Sequence, residues 1–223
     1  MGAGSTADFI RMIAVGAIPV VFAITLHEVA HGWMARRHGD RTAEMLGRLS
    51  LNPLRHIDPM GTVVVPLLTL WLGGLLFGWA KPVPINPRAM REPKRAMIAV
   101  AAAGPGANLL MALGWALVLR LAAGLMETLP VAGDFLVQMA SLGISFNVLL
   151  GIFNLLPVPP LDGGRVLRGL VPESIGRRLD AIEPYGLIIV VGLLVAGVLN
   201  RVLGPLFLVA RELVFLLAGV KGG

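Results

Sequence analysis

Apolar runs long enough to cross a bilayer recur along the chain, separated by short clusters of arginine, lysine, proline and glycine. About 20 predominantly apolar residues make one helical crossing. The runs predict spans over 8–35, 96–125, 135–156, 181–199 and 202–220. The run over 61–80 is interrupted by Pro66, Gly73, Gly74 and Gly78 and has basic residues on both flanks, which favours a re-entrant or partly inserted segment over a crossing. Residues 39–59 alternate loosely between apolar and polar and predict one or two short strands, an edge that could pair with an extended peptide. Arg211 and Glu212 fall in the middle of the last run, which therefore also reads as an interfacial amphipathic helix. The prediction is an all-α polytopic membrane protein of about five or six transmembrane helices, with a short β element and a possible re-entrant segment. With no linker, repeat or low-complexity region, residues 1–223 read as a single integral-membrane domain.

Composition sharpens this picture. The chain is 56% hydrophobic and only 14% charged, which excludes an ordinary soluble domain. Its net charge of +6 would suggest nucleic acid in a soluble protein. Here the basic residues cluster between spans, at Arg36, Arg37, Arg41, Arg48 and Arg55 and again at Arg165, Arg168, Arg177 and Arg178, as cytoplasmic loops do. No nucleic-acid partner is expected; the lipid bilayer is. The first run lacks the basic leader and cleavage site of a signal peptide and is expected to be retained.

The candidate chemistry lies in the first span. From Ile13 to Ala35 the only charged residue is Glu28, inside His27-Glu28-Val29-Ala30-His31. On a helix His27 and His31 are one turn apart and roughly 40° out of register on one face, so both imidazoles can reach one zinc ion. Glu28 beside them suits a general base acting on water. Ionisable groups inside hydrocarbon are costly and mark function by default. There is no cysteine, so the remaining ligand must be histidine or carboxylate. His38 and His56 sit in the basic segment and read as surface residues. Asp162 is the stronger candidate: Pro157, Pro159 and Pro160 stop the preceding helix, Gly163 and Gly164 let the chain turn, and the carboxylate can be aimed inward. The basic cluster after the first span places the site toward the cytoplasm.

The paired motifs, His27-Glu28-x-x-His31 and Asn154-Leu-Leu-Pro157-x-Pro-Pro160-Leu-Asp162-Gly163-Gly164, with Gly104-Pro105 in an Ala-rich span between them, resemble the site-2 protease family of intramembrane zinc metalloproteases. The resemblance runs from about Leu26 to Arg168. It implies a zinc metalloendopeptidase with His27, His31 and Asp162 as ligands to one zinc ion and Glu28 as catalytic base. It further implies Asn154 as a catalytic residue for substrate or transition state and Asn108 as a substrate-binding position. The substrates implied are transmembrane segments of other membrane proteins, cut in regulated intramembrane proteolysis. The expected form is compact, without a PDZ insertion or a nucleotide-sensing domain, in a prokaryotic plasma membrane. Two other readings stand beside it: a zinc protease with a glutamate as third ligand, from Glu173, Glu183 or Glu212, and a metal-binding transporter or inactive scaffold.

Overall fold

A computed structural model describes residues 6–64 and 80–220. Its helices are α1 (Thr6–Arg37), α2 (Thr42–Met45), α3 (Pro93–Leu125), α4 (Pro130–Asn154), α5 (Asp162–Leu170), α6 (Glu173–Ile182), α7 (Gly186–Val195) and α8 (Val198–Ala218). Pro93 and Pro130 open α3 and α4, where a missing N–H costs nothing and the fixed φ favours the first turn. α1 closes on Arg36 and Arg37, whose charge complements the helix C-terminus. Gly39 then adopts φ +108°, and the Asp40 N–H returns to the Ala35 carbonyl at 3.0 Å.

The core is written in small residues at every fourth position. Along α1, Val15, Pro19, Ala23, His27, His31 and Ala35 are all buried. Along α3, Ala96, Val100, Gly104, Asn108, Ala112 and Ala116 are buried in the same rhythm. Small side chains let helix backbones approach closely in lipid, where apolar burial against another helix gains little over lipid tails. α3 packs against α1, α4, α5 and α8, and is the central helix. α8 seals one side, with Val214 and Ala218 against Ala112, Ala116, Ile144 and Val148. Gly143 admits the Trp115 indole, for an added Cβ would lie 2.6 Å from it. At the far end Arg11 pairs with Asp134, tying the starts of α1 and α4 together.

Among the described residues three helices are long and apolar enough to cross a membrane, over Ile13–Arg37, Pro93–Leu125 and Pro130–Asn154. A fourth is counted if the bent pair Glu173–Val195 and Val198–Ala218 makes one span. This falls short of the five or six expected. Neither of the runs over 181–199 and 202–220 is by itself among the three: α7 has 10 residues, about half a crossing at 1.5 Å each. Gly197, at φ +70°, then turns the chain by 81° into α8. Arg211 in α8 lies near Phe207 and Phe215, its guanidinium 6.0 and 5.5 Å from the two rings, with Glu212 at 3.7 Å.

The strands expected over 39–59 are absent among the described residues. The segment forms α2 and a 3-10 turn at Pro53–His56. Asn52 accepts from the Leu54 N–H, and Asp40 from the Thr42 N–H, so side chains take the donors a ladder would use. Across from it, Pro82, Pro84 and Pro87 lack donors altogether. One backbone bond joins the two stretches, from Lys81 N–H to the His56 carbonyl at 2.9 Å. Most of the re-entrant segment expected over 61–80 lies outside the described residues; its start, Pro59–Val64, is a π-helical turn.

Candidate metal centre

His27 and His31 project from α1 toward α3, and the approach is closest at Gly104. A Cβ there would lie 2.7 Å from His27 Cε1 and closer still to His31 Nε2. Pro105, one residue on, leaves the Ala101 carbonyl without its helical donor and loosens α3 at this level. Asp162 enters from the first turn of α5. It makes no capping bond there. Gly163 and Gly164, expected from sequence to turn the chain, are helical instead, and neither has a positive φ. They act through their missing side chains, since a Cβ on Gly164 would lie 2.7 Å from Pro159 N, and one on Gly163 would strike the Leu155 and Leu156 carbonyls. α5 is thereby seated against the end of α4, and Asp162 reaches the histidines.

The three ligand atoms converge. His27 Nε2 and His31 Nε2 are 3.0 Å apart, and Asp162 Oδ2 is 3.2 Å from each. All three residues are buried. His31 Nδ1 lies 2.7 Å from the Val100 carbonyl, which can only accept, so this nitrogen carries the proton. His27 Nδ1 lies 2.6 Å from Asn108 Oδ1 and does the same. In a neutral imidazole the Nε2 atom is then a lone pair. Two lone pairs therefore face one another, and the buried Asp162 Oδ2 has no hydrogen-bond partner. Such an arrangement calls for a cation. Tetrahedral zinc with legs of ~2.0–2.1 Å sets its ligand atoms roughly 3.3 Å apart, close to the separations found. These residues fit zinc, and among the described residues His27, His31 and Asp162 form the one such cluster.

Glu28 is half-buried and does not join the cluster. Its Oε2 accepts from the Val83 N–H at 2.7 Å. Val83 belongs to an extended strap, 80–86, that crosses α1 and packs over Gly32. The strap is pinned a second time where Asp40 accepts from the Asn86 N–H at 2.6 Å. Burial alone would raise the Asp40 carboxyl, but the Thr42 hydroxyl and the N–H groups of Asn86 and Thr42 outweigh it and hold it below the usual carboxylate range.

Asn154 ends α4, half-buried, with its NH₂ on the Leu150 carbonyl at 3.0 Å. Asn108, expected at a substrate-binding position, lies behind His27. It is fully buried, with Oδ1 on His27 and Nδ2 donating to Ala23 O and Asn147 Oδ1, so it faces a ligand and not an open cleft. His56, expected on the surface, is 3% exposed, with Nε2 on the Ser50 carbonyl and its own carbonyl accepting from the Lys81 N–H. His38 is half-buried. Glu173 pairs with Arg168, Glu183 with Arg165 and Glu212 with Arg211, so none is a third ligand. Sequence reasoning missed Asn147 and Val83. A polar residue inside an apolar span was the available signal for the first; a backbone donor leaves none.

The sequence profile of peptidase family M50 matches residues 128–197, the stretch that carries Asn154 and Asp162. Curated relatives of the chain bear the name "Putative zinc metalloprotease". YwhC of Bacillus subtilis (strain 168) is 39% identical over 196 residues, covering 87% of this chain and 86% of its own. The chain belongs to peptidase family M50. Rip2 of Mycolicibacterium smegmatis is 34% identical over 201 residues, covering 87% of this chain and 74% of its own. No solved structure matches the chain. Both long alignments extend well beyond the profile match, over most of a chain whose two metal-site histidines, His27 and His31, lie far before residue 128. The M50 protein is thus a zinc metalloprotease of the site-2 protease family with helices apolar enough to span a membrane.

Proposed function

We propose that this M50 protein hydrolyses peptide bonds within or next to transmembrane segments of other membrane proteins, as the proteolytic step of regulated intramembrane proteolysis. The observation that carries the reading is the position of His27, His31 and Asp162: buried, and held between two helices long and apolar enough to cross a bilayer. His27, His31 and Asp162 would hold zinc. When bound, zinc supplies a Lewis acid that polarises a carbonyl and lowers the pKa of water.

Glu28 takes a proton from water as the water oxygen attacks the scissile carbonyl carbon, and delivers it to the amide nitrogen as the C–N bond breaks. The Val83 N–H holds Oε2, leaving Oε1 for this exchange. Asn154 donates to the developing oxyanion, for which its NH₂ must leave the Leu150 carbonyl. A helical substrate hides its carbonyls in i to i−4 bonds and has to unwind before attack, so cleavage favours segments with Gly, Asn or Pro near the cut. The whole chain acts as one integral-membrane domain in a prokaryotic plasma membrane, with the basic end of α1, and hence the site, toward the cytoplasm.

The test is cleavage of a panel of single-pass segments by purified protein in detergent, with zinc content recorded. Wild type should cut, Glu28→Gln should keep zinc and not cut, and Asn154→Ala should keep zinc with kcat lower by about 10²-fold. Stoichiometric zinc with no cleavage across a broad panel, together with zinc uptake into vesicles, would turn the reading to a transporter.

A further inference from the structure

Behind His27 lies a chain of polar groups that the catalytic steps do not use. Asn147, in the middle of α4, is fully buried. Its Nδ2 donates to the Gly143 carbonyl at 2.9 Å, one turn back on its own helix. Its Oδ1 accepts from Asn108 Nδ2 at 3.0 Å. Asn108 Nδ2 also lies 3.3 Å from the Ala23 carbonyl on α1, and Asn108 Oδ1 faces His27 Nδ1 at 2.6 Å. Backbone carbonyls can only accept, so Gly143 and Ala23 each fix which end of an asparagine carries the NH₂. With both amides so oriented, Asn108 can offer His27 only an acceptor. His27 must then carry its proton on Nδ1 and present Nε2 to the metal.

We infer that Asn147 is a positioning residue for the metal centre: through Asn108 it holds His27 in the tautomer and rotamer that direct Nε2 at zinc. The inference rests on His27 being a zinc ligand. His31 has a simpler arrangement, because the Val100 carbonyl fixes its tautomer directly. A carbonyl of a regular helix cannot flip; a carboxamide can. Without Asn147, Asn108 keeps one weak anchor, the 3.3 Å bond to Ala23. It could then turn its NH₂ toward His27 and drive the proton to Nε2, where it opposes the metal. An oriented acceptor behind a metal-bound histidine is worth roughly 10–100-fold in metal affinity.

The test uses the full chain in detergent, with zinc affinity read by chelator competition. His27 tautomer is read from ¹⁵N shifts of the zinc-free protein. Asn147→Leu, nearly isosteric, should weaken zinc binding about tenfold and populate the Nε2–H tautomer of His27 while His31 is unchanged. Asn108→Leu should weaken it at least as much, and the double variant no more than Asn108→Leu alone, since the two act in series. Asn147→Asp, neutral in so apolar a setting, can still accept from Asn108 and donate to Gly143, and should stay close to wild type; it serves also if the leucine variant does not fold. Unchanged zinc affinity and tautomer in folded Asn147→Leu, or additive losses in the double variant, overturn the relay. Wild-type protein that binds no zinc overturns the metal centre and the relay together. Zinc binding that responds as stated, without cleavage of any substrate, leaves the relay standing and counts only against the proposed proteolysis.

Discussion

Gly104 is the residue on which the metal centre is most narrowly balanced. Its missing side chain lets α3 pass close enough for both imidazoles to lie against the helix. Gly104→Ala should displace both rings and lower zinc affinity by at least tenfold, although Ala is the better helix former. Zinc titration of a folded Gly104→Ala protein checks this; wild-type affinity would show that the helices can part without cost. The ligands themselves were legible in the sequence, because few residue types bind zinc and their spacing on a helix is fixed. The partners that orient them were not. Val100 acts through a carbonyl every residue has, and Asn147 acts only because another helix sets Asn108 opposite it. Gly163 and Gly164 show an intermediate case: the motif was visible, but the reason for it is close packing and not turn geometry.

Among the elements, the strap over 80–86 links Glu28, the proposed base, to the loop after α1. Its middle rests on Glu28 through the Val83 N–H and its far end on Asp40 through the Asn86 N–H. Asp40→Ala removes acceptors for the Asn86 and Thr42 N–H groups and should cost about 2 kcal/mol. It should also lower kcat more than zinc affinity, since Val83 would no longer be held against Glu28. The pH dependence follows from the lowered Asp40 pKa. A depressed carboxyl contributes stability above its unfolded value of about 3.9, lost as pH falls through the folded value. The strap should therefore stay anchored through neutral and mildly acid conditions and loosen only below about pH 4. Hydrogen exchange at Asn86 against pH reads this directly, and Asp40→Asn should abolish the acid step. The sequence pointed to a strand nearby because alternation was read without a partner. Prolines at 82, 84 and 87 deny the opposing chain its donors, and the segment pairs through side chains instead. The three long helices, by contrast, follow their apolar runs closely, since in lipid each must satisfy its own backbone.

At the scale of the whole molecule, the metal centre joins parts of the chain that are remote in sequence. His27 and His31 stand on α1, and Asp162 begins α5. A ligand bound by the folded state alone stabilises it by RT ln(1 + [L]/Kd), roughly 2.7 kcal/mol at a free concentration of 100 Kd. Here that increment acts on the docking of α5 against α1. Without a cation, two imidazole lone pairs and a carboxylate face one another in a buried space and repel. Chelation should therefore lower the unfolding temperature and expose 155–182 to protease before the helices of the bundle. Asp162→Ala should begin at the chelated value and gain nothing from added zinc. Glu28→Gln, which leaves all three ligands in place, should respond to zinc as wild type does. Thermal unfolding in detergent, with and without chelator, on these three proteins separates the structural contribution of the metal from its catalytic one. Equal unfolding temperatures for loaded and chelated wild type would mean that α5 is held by the packing of Gly163 and Gly164 alone.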